Sequence, residues 1–186
     1  MALLAEQLVD EWLNRNGFFT LRGIKKGGDE IDLLGVRERN GVLEGWHVEV
    51  QASFRPVSYI AKLSKEAQER LGVKSATSAK KRPPDMIDEA IVDWVEKKFR
   101  SKKKEKMRAQ CWREVKWAYK FVHAEVHDKS ELEALERQNI DLIPLEQVLR
   151  DLCNHKRDEL FGAAGTDIAE LIRYFAVHSQ RQQSSY

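Results

Sequence analysis

Residues 30–51 read EIDLLGVRERNGVLEGWHVEVQ. Two runs rich in β-branched and apolar residues flank Asn40-Gly41, the dipeptide that best tolerates the positive φ values of a two-residue type I′ turn. The stretch therefore predicts an antiparallel hairpin. A two-residue turn also sets the pairing. If Arg39 faces Val42, the register carries on to place Asp32 opposite Glu49 and Glu30 opposite Gln51. Directly opposed residues hold their Cβ atoms about 4.5–5.5 Å apart, and pairs two residues along share a face. Three acids and an amide are thus expected together. Ile31, Leu33, Trp46, Val48 and Val50 are expected on the other face, toward the core.

Opposed like charges destabilise a sheet. A solvated edge, a neighbouring Lys or Arg, or a bulge in the register would relieve that cost. So would a divalent cation, since hard carboxylate oxygens suit Mg²⁺. His47 projects to the same face as Glu49, where it serves either as a base or as a structural histidine.

Outward from the hairpin, residues 2–15 carry Leu4, Ala5, Leu8, Val9 and Trp12 at helical spacing, with Asn16-Gly17 as the stop. Phe18 to Arg22 reads as a first strand and Lys25 to Asp29 as a polar loop. Residues 54–84 contain Pro56, Gly72, Pro83 and Pro84 around a helical-looking YIAKLSKEAQERLG, and read as an insertion or lid. Asp85 is the expected N-cap of a helix carrying Ile87, Ile91, Trp94 and Val95, which runs into KKFRSKKKEKMR. Lys116 to Val126 reads as a strand, 130–138 as a helix, IDLIP as a short strand and Leu145 to Cys153 as a helix. Thr166 caps a last helix ending near His178 (161–178 in all), and the Gln/Ser-rich tail, 179–186, reads as disordered. The order is helix, three strands, helix, strand, helix, strand, helix, a mixed α/β layout.

The 186 residues suit one domain with an insertion, and 42% hydrophobic with 33% charged residues is a globular composition. No apolar run reaches the length of roughly 20 residues that a membrane span needs, and the acids of the N-terminal helix exclude a secretory leader. Cys111 and Cys153 form no CxxC pair, so a reducing cytoplasm is the expected compartment. The net charge of +2 hides an asymmetry: residues 1–53 and 109–186 each carry −3, whereas 54–108 carry +8. A polyanion is expected to dock there, unless the run is a solvated helix face.

GDEIDLL (28–34) followed by HVEVQ (47–51) resembles the PD-(D/E)XK nucleases, and Glu6 in the first helix matches an acid that many members place there. Gly17, Phe18, Arg22, Gly27, Gly28 and Asp32 look particularly like the Holliday-junction-resolvase branch. The resemblance spans roughly residues 2–126. It implies a restriction-endonuclease-like αβββαβ core, a mixed central sheet flanked by helices, within a nuclease-like domain of residues 1–160. It further implies Mg²⁺ (or Mn²⁺) held by Asp32, Glu49 and the Val50 carbonyl, with Glu6 holding a metal-bound water or a second ion. The activity implied is hydrolysis of DNA phosphodiesters.

One position departs from that pattern. Gln51 stands where the family carries a lysine. Glutamine can orient a water but carries no charge. A weak or inactive nuclease-fold subunit that binds nucleic acid or a protein partner is therefore the alternative. Lys25, Lys26, Arg55, Lys62, Lys80, Lys81 and Arg82 are the candidate phosphate contacts, and paired cuts in a duplex would favour a homodimer. His123 and His127 lie about 13 Å apart on a strand, too far to share zinc. Trp112, Trp117, Tyr119 and Phe121 at strand spacing read as core.

Overall fold

The computed structural model describes residues 2–52, 57–126, 128–154, 170, 171 and 174. Its elements run α1 (Ala2–Arg15), β1 (Phe19–Lys26), β2 (Asp29–Arg39), β3 (Val42–Gln51), α2 (Lys65–Leu71), α3 (Pro84–Val95), a π-helical turn (Glu96–Arg100), α4 (Lys102–Cys111), β4 (Trp117–His123), α5 (Ser130–Arg137), β5 (Asp141–Pro144) and α6 (Leu145–Asn154). The strands form one sheet in the order β1-β2-β3-β4-β5. The first three are antiparallel, and β3, β4 and β5 are parallel. The fold is an α/β fold with a mixed five-stranded sheet flanked by helices.

The hairpin forms in the expected register, from Arg39↔Val42 to Leu33↔Val48. Asn40 and Gly41 both take positive φ, 53° and 77°, as a type I′ turn requires. Four residues beyond Gly41, Gly45 is required for a different reason. A Cβ there would lie 2.0 Å from Val115 Cγ1, on the segment leading into β4.

Helices cover both faces of the sheet. On one, α1 and α6 bury Leu8, Val9, Leu13, Val148 and Leu152 against Leu33, Val48 and Val50. The indole of Trp12 donates to Asp151 at 2.9 Å and ties those two helices together. On the other, α3, the π-helical turn and α5 pack Ile91, Val95, Phe99 and Leu135 on Phe121. Tyr119 and Trp94 join that second core, and Trp112 and Trp117 pack against a smaller cluster around Ile31, Leu34 and Met107. Of the aromatics of the β4 region, Phe121 is fully buried and Trp112, Trp117 and Tyr119 are half-buried against the core clusters.

Four expectations change. First, β1 runs on through Ile24 to Lys26, so the loop at Lys25–Asp29 shrinks to the Gly27-Gly28 turn. Pairing with β2 outweighs the polar sequence. Second, α3 begins at Pro84 with Pro83 before it, and Asp85 lies inside the first turn, where an acid suits the helix dipole. Third, the basic run is not one helix continuing α3. It passes through the π-helical turn, breaks at Ser101, and restarts as α4, whose Lys104 N–H is capped by the Ser101 hydroxyl. Fourth, Ile31 packs with Leu34 and Met107 on the α4 side rather than with Leu33, Val48 and Val50. Strict alternation fails between residues 31 and 34 because the ladder opens at Asp32.

The segment 57–84 is docked rather than loose. Ile60 and Ala61 enter the core beside α3 and α5, and Leu63, Ala67 and Met86 form a small cluster of their own. Ser64 caps α2 by accepting from the Ala67 N–H. Glu131 of α5, fully buried, accepts from the Ile60 and Ala61 N–H groups. The expected C-terminal helix and tail lie outside the described residues, except that Glu170, Leu171 and Tyr174 are helical.

Candidate active site

The site sits where β2 and β3 part. In the β1–β2 ladder, Arg22↔Leu33 and Ile24↔Ile31 pair, while Gly23, at φ 64°, and Asp32 do not. Asp32 is also released from β3, where pairing stops at Leu33↔Val48. Its carboxylate then takes the place of a backbone acceptor: the Val50 N–H donates to Asp32 Oδ2 at 2.8 Å. Asp32 and Glu49 are not a ladder pair, but their side chains are close enough for each charge to act on the other. Burial, then the charge of Glu49, pushes the Asp32 carboxyl up to about 6, against the pull of Lys98.

Glu6 projects from α1 toward the same place. Burial raises its pKa, and the charges of Asp32, Glu30 and Glu49 raise it further against the opposing Arg22. Glu6 thus lies within electrostatic reach of Asp32 and Glu49. Gln51 is half-buried on the same strand as Glu49 and pairs with His123 of β4, not with Glu30.

Glu49 is 1% exposed and is surrounded by donors. Lys98, from the π-helical turn, reaches Oε2 at 2.5 Å. Lys104, from α4, lies 3.5 Å from Oε1 and donates to the Glu30 carbonyl. His47 Nε2 lies 3.1 Å from the same Oε1. Burial alone would lower the Lys98 pKa, but the charges of Glu49, Asp32 and Glu30 outweigh it and raise it.

The tautomer of His47 follows from its other neighbour. Arg108 Nη1 lies 3.0 Å from His47 Nδ1, and a guanidinium can only donate. Nδ1 must therefore accept, which leaves the proton on Nε2 to be donated to Glu49. Burial, then the charges of Arg108, Lys104 and Lys98, holds the ring neutral with a pKa far below its ordinary value. His47 is accordingly the structural histidine of the two readings. It orients Glu49.

Lys98, Lys104 and Arg108 were read in the sequence only as members of a basic run. Lys104 and Arg108 are both nearly fully buried. Their spacing of four residues on one helix face, just after a capping Ser101, was the available signal. For Lys98 there was none, because a π-helical turn positions it.

The candidate phosphate contacts divide. Lys62, Lys80 and Lys81 are exposed, with Lys80 donating to the Leu71 carbonyl at 2.7 Å. Lys25 pairs with Glu30 at 3.3 Å, and Lys26 donates to Gln110 at 3.0 Å. Arg55 lies outside the described residues. Arg82 is withdrawn from solvent: it lies over the Tyr59 ring at 3.7 Å, donates to the Ala61 carbonyl at 2.9 Å, and stands 3.6 Å from Glu131. Its surroundings make it an internal cation that closes the 57–84 segment onto α5.

Asp32 and Glu49 offer hard oxygens in a buried, like-charged pair, and this donor chemistry fits a divalent cation. Among the described residues, no three His, Cys, Asp or Glu side chains form a ready-made metal cluster. What the site offers is two carboxylates, with the Lys98 ammonium bonded to one of them.

No family model matches the chain, and no curated protein does. Among solved structures it is similar to the crystal structure of AF1548, a protein of unknown function, at 14% identity and a TM-score of 0.42. That match covers 78% of this chain and 64% of the other, so the chain spans less than two thirds of that protein's length. No helix among the described residues is long and apolar enough to cross a membrane.

Proposed function

We propose that this chain is a metal-dependent endonuclease of the PD-(D/E)XK kind, built on the restriction-endonuclease-like core and hydrolysing phosphodiester bonds in DNA. The observation that carries the reading is the Asp32–Glu49 carboxyl pair at the opening of the β2–β3 ladder, with Lys98 bonded to it. Asp32, Glu49 and the Val50 carbonyl would hold Mg²⁺ (Mn²⁺ as a substitute), with Glu6 beside them. The ion would supply charge neutralisation at the scissile phosphate and acidify an attacking water.

The chain's own residues do the rest. His47 fixes the direction of Glu49, and the Val50 N–H fixes that of Asp32. Gln51 orients a water by hydrogen bonding. Lys98 brings an ammonium to the carboxylate pair from a helical element, supplying the charge that Gln51 lacks. In this reading the lysine has moved from strand to helix.

The second reading, a nuclease-fold subunit that binds nucleic acid or a protein partner without cutting, has a specific observation in its favour. Both Glu49 oxygens are already engaged, by Lys98, Lys104 and His47. One experiment separates the two. A panel of duplex, junction, flap and single-stranded DNAs and RNA is incubated with Mg²⁺ or Mn²⁺ and with wild type, Asp32→Ala and Glu49→Ala. DNA cutting by wild type alone supports the nuclease. DNA binding without cutting by any variant supports the second reading.

A further inference from the structure

Two cavities outside the acidic site share Lys26 and Lys106 and so make one groove. The first, of about 300 Å³, is lined by Lys26, Gly27, Gly28, Asp29, Lys103 and Met107 as well as Lys106. The second, of about 440 Å³, adds Gln110 and Arg113. The groove therefore runs from the β1–β2 turn along the outer side of α4.

Four cations line it and one acid, Asp29, which pairs with Lys103 at 3.1 Å. Lys106 and Arg113 make no ion pair among the described residues. At Gly27 and Gly28, nothing stands within 4 Å of where a Cβ would be, so the turn's backbone faces open space. The groove also adjoins the site. Lys104, next in sequence to the groove's Lys103, turns inward to Glu49 and to the Glu30 carbonyl. One helix thus sends Lys104 to Glu49 and Arg108 to His47, and Lys103 and Lys106 to the groove.

We propose that this groove binds the sugar-phosphate backbone of duplex DNA to one side of the scissile bond. The proposal rests on the nuclease reading and deepens it by stating where the substrate extends. The ten residues of α4 span about 15 Å, and one DNA strand presents a phosphate about every 3.4 Å along the duplex axis. The groove therefore matches a run of about four phosphates. No aromatic ring lines it, so it offers no platform on which unstacked bases could rest. Backbone contact, not base reading, is what its chemistry supports.

The test uses the full chain and a fluorescein-labelled 20-base-pair duplex in EDTA, with affinity measured by anisotropy from 50 to 200 mM salt. Lys106→Ala/Arg113→Ala is compared with wild type, with circular dichroism and thermal melting as controls for folding. The expected result is a salt slope shallower by about two and an affinity roughly tenfold to hundredfold weaker near 100 mM. Equal slope and affinity would overturn the groove. So would tighter binding of a single strand of the same length, because the groove would then not be a duplex track. Cleavage by wild type is scored separately. If wild type cuts and the double variant binds unchanged, the groove fails and the nuclease stands. If no protein cuts but the variant loses binding, the groove stands as a DNA site and the nuclease falls.

Discussion

Lys98 Nζ lies 2.5 Å from Glu49 Oε2, although the two residues are 49 positions apart and belong to a helical turn and a strand. That contact makes the ammonium a competitor for the oxygen that a metal would use, and at the same time a neutraliser of the charge that makes the site costly. The consequences of the two roles have opposite sign.

Lys98→Met is therefore expected to bind Mn²⁺ more tightly, by roughly 1 kcal/mol or more from loss of one charge-assisted hydrogen bond. Its single-turnover cleavage is expected to be slower by about 10²-fold, the scale of a general acid–base or orienting group. Lys98→Arg should restore part of the rate. Calorimetry and single-turnover kinetics read the two effects independently, and a variant that loses both affinity and rate would contradict the competitive role.

Asp32 gives a pH prediction with a definite sign. Its folded pKa, about 6, lies above the ordinary 3.8, so the folded state holds more protons than the unfolded one between those values. Stability is thus greatest below 3.8 as far as this group is concerned, and is lost as pH rises through 6. The loss approaches about 3 kcal/mol for a shift of about two units in the metal-free protein. Asp32→Asn should accordingly stabilise the metal-free protein at pH 8 by about 1–3 kcal/mol while abolishing cleavage. Chemical denaturation at pH 4 and pH 8 checks this. A destabilised variant at pH 8 would contradict it.

His47 is expected to stay neutral, protonated on Nε2, as pH falls through the ordinary histidine value of 6.5, as seen in its ¹⁵N shifts. His47→Ala removes the donor to Glu49 and leaves Arg108 facing a void. The expected cost is about 2–4 kcal/mol, by analogy with buried truncations that also orphan a polar partner. His47→Gln should recover part of it, because an amide can accept from Arg108 and donate to Glu49.

Glu131 secures the 57–84 segment from a helix more than 45 residues further along the chain. Glu131→Ala frees two N–H groups and strips Arg82 of its counter-charge. The expected loss is about 3–5 kcal/mol, the scale for a buried pair broken from one side. Limited proteolysis should then cut between residues 57 and 84 before it cuts the sheet. If the first cuts fall in β2 or β3, the segment is not what Glu131 holds.

How much of this was legible in the sequence depends on the distance over which each feature is determined. The hairpin, its register as far as Leu33↔Val48 and the nearness of Asp32 to Glu49 depend on Asn40-Gly41 and on alternation, which are local. The exact meeting of the two acids was not visible. The ladder opens at Asp32 because its side chain captures the Val50 N–H, and alternation alone contains no such exchange. The continuation of β1 through Gly23 to Lys26 is imposed by β2, against local preference. The inward turn of Lys104 and Arg108 depends on α4 restarting at Ser101, and the placement of Lys98 on the π-helical turn. Charge composition showed only that residues 54–108 are strongly basic. It did not separate the two cations that serve Glu49 from those that line the groove.

The π-helical turn has a consequence for how this site can be lost. A π turn holds one residue more than an α turn, so loss of Lys97 would let the turn tighten to α and carry Lys98 about 100° around the axis of α3. Lys98 would swing off Glu49 and every acid would remain in place. Under the proposed function, one in-frame codon loss would thus silence the centre, with its carboxylate signature still intact and misleading to a reader of motifs.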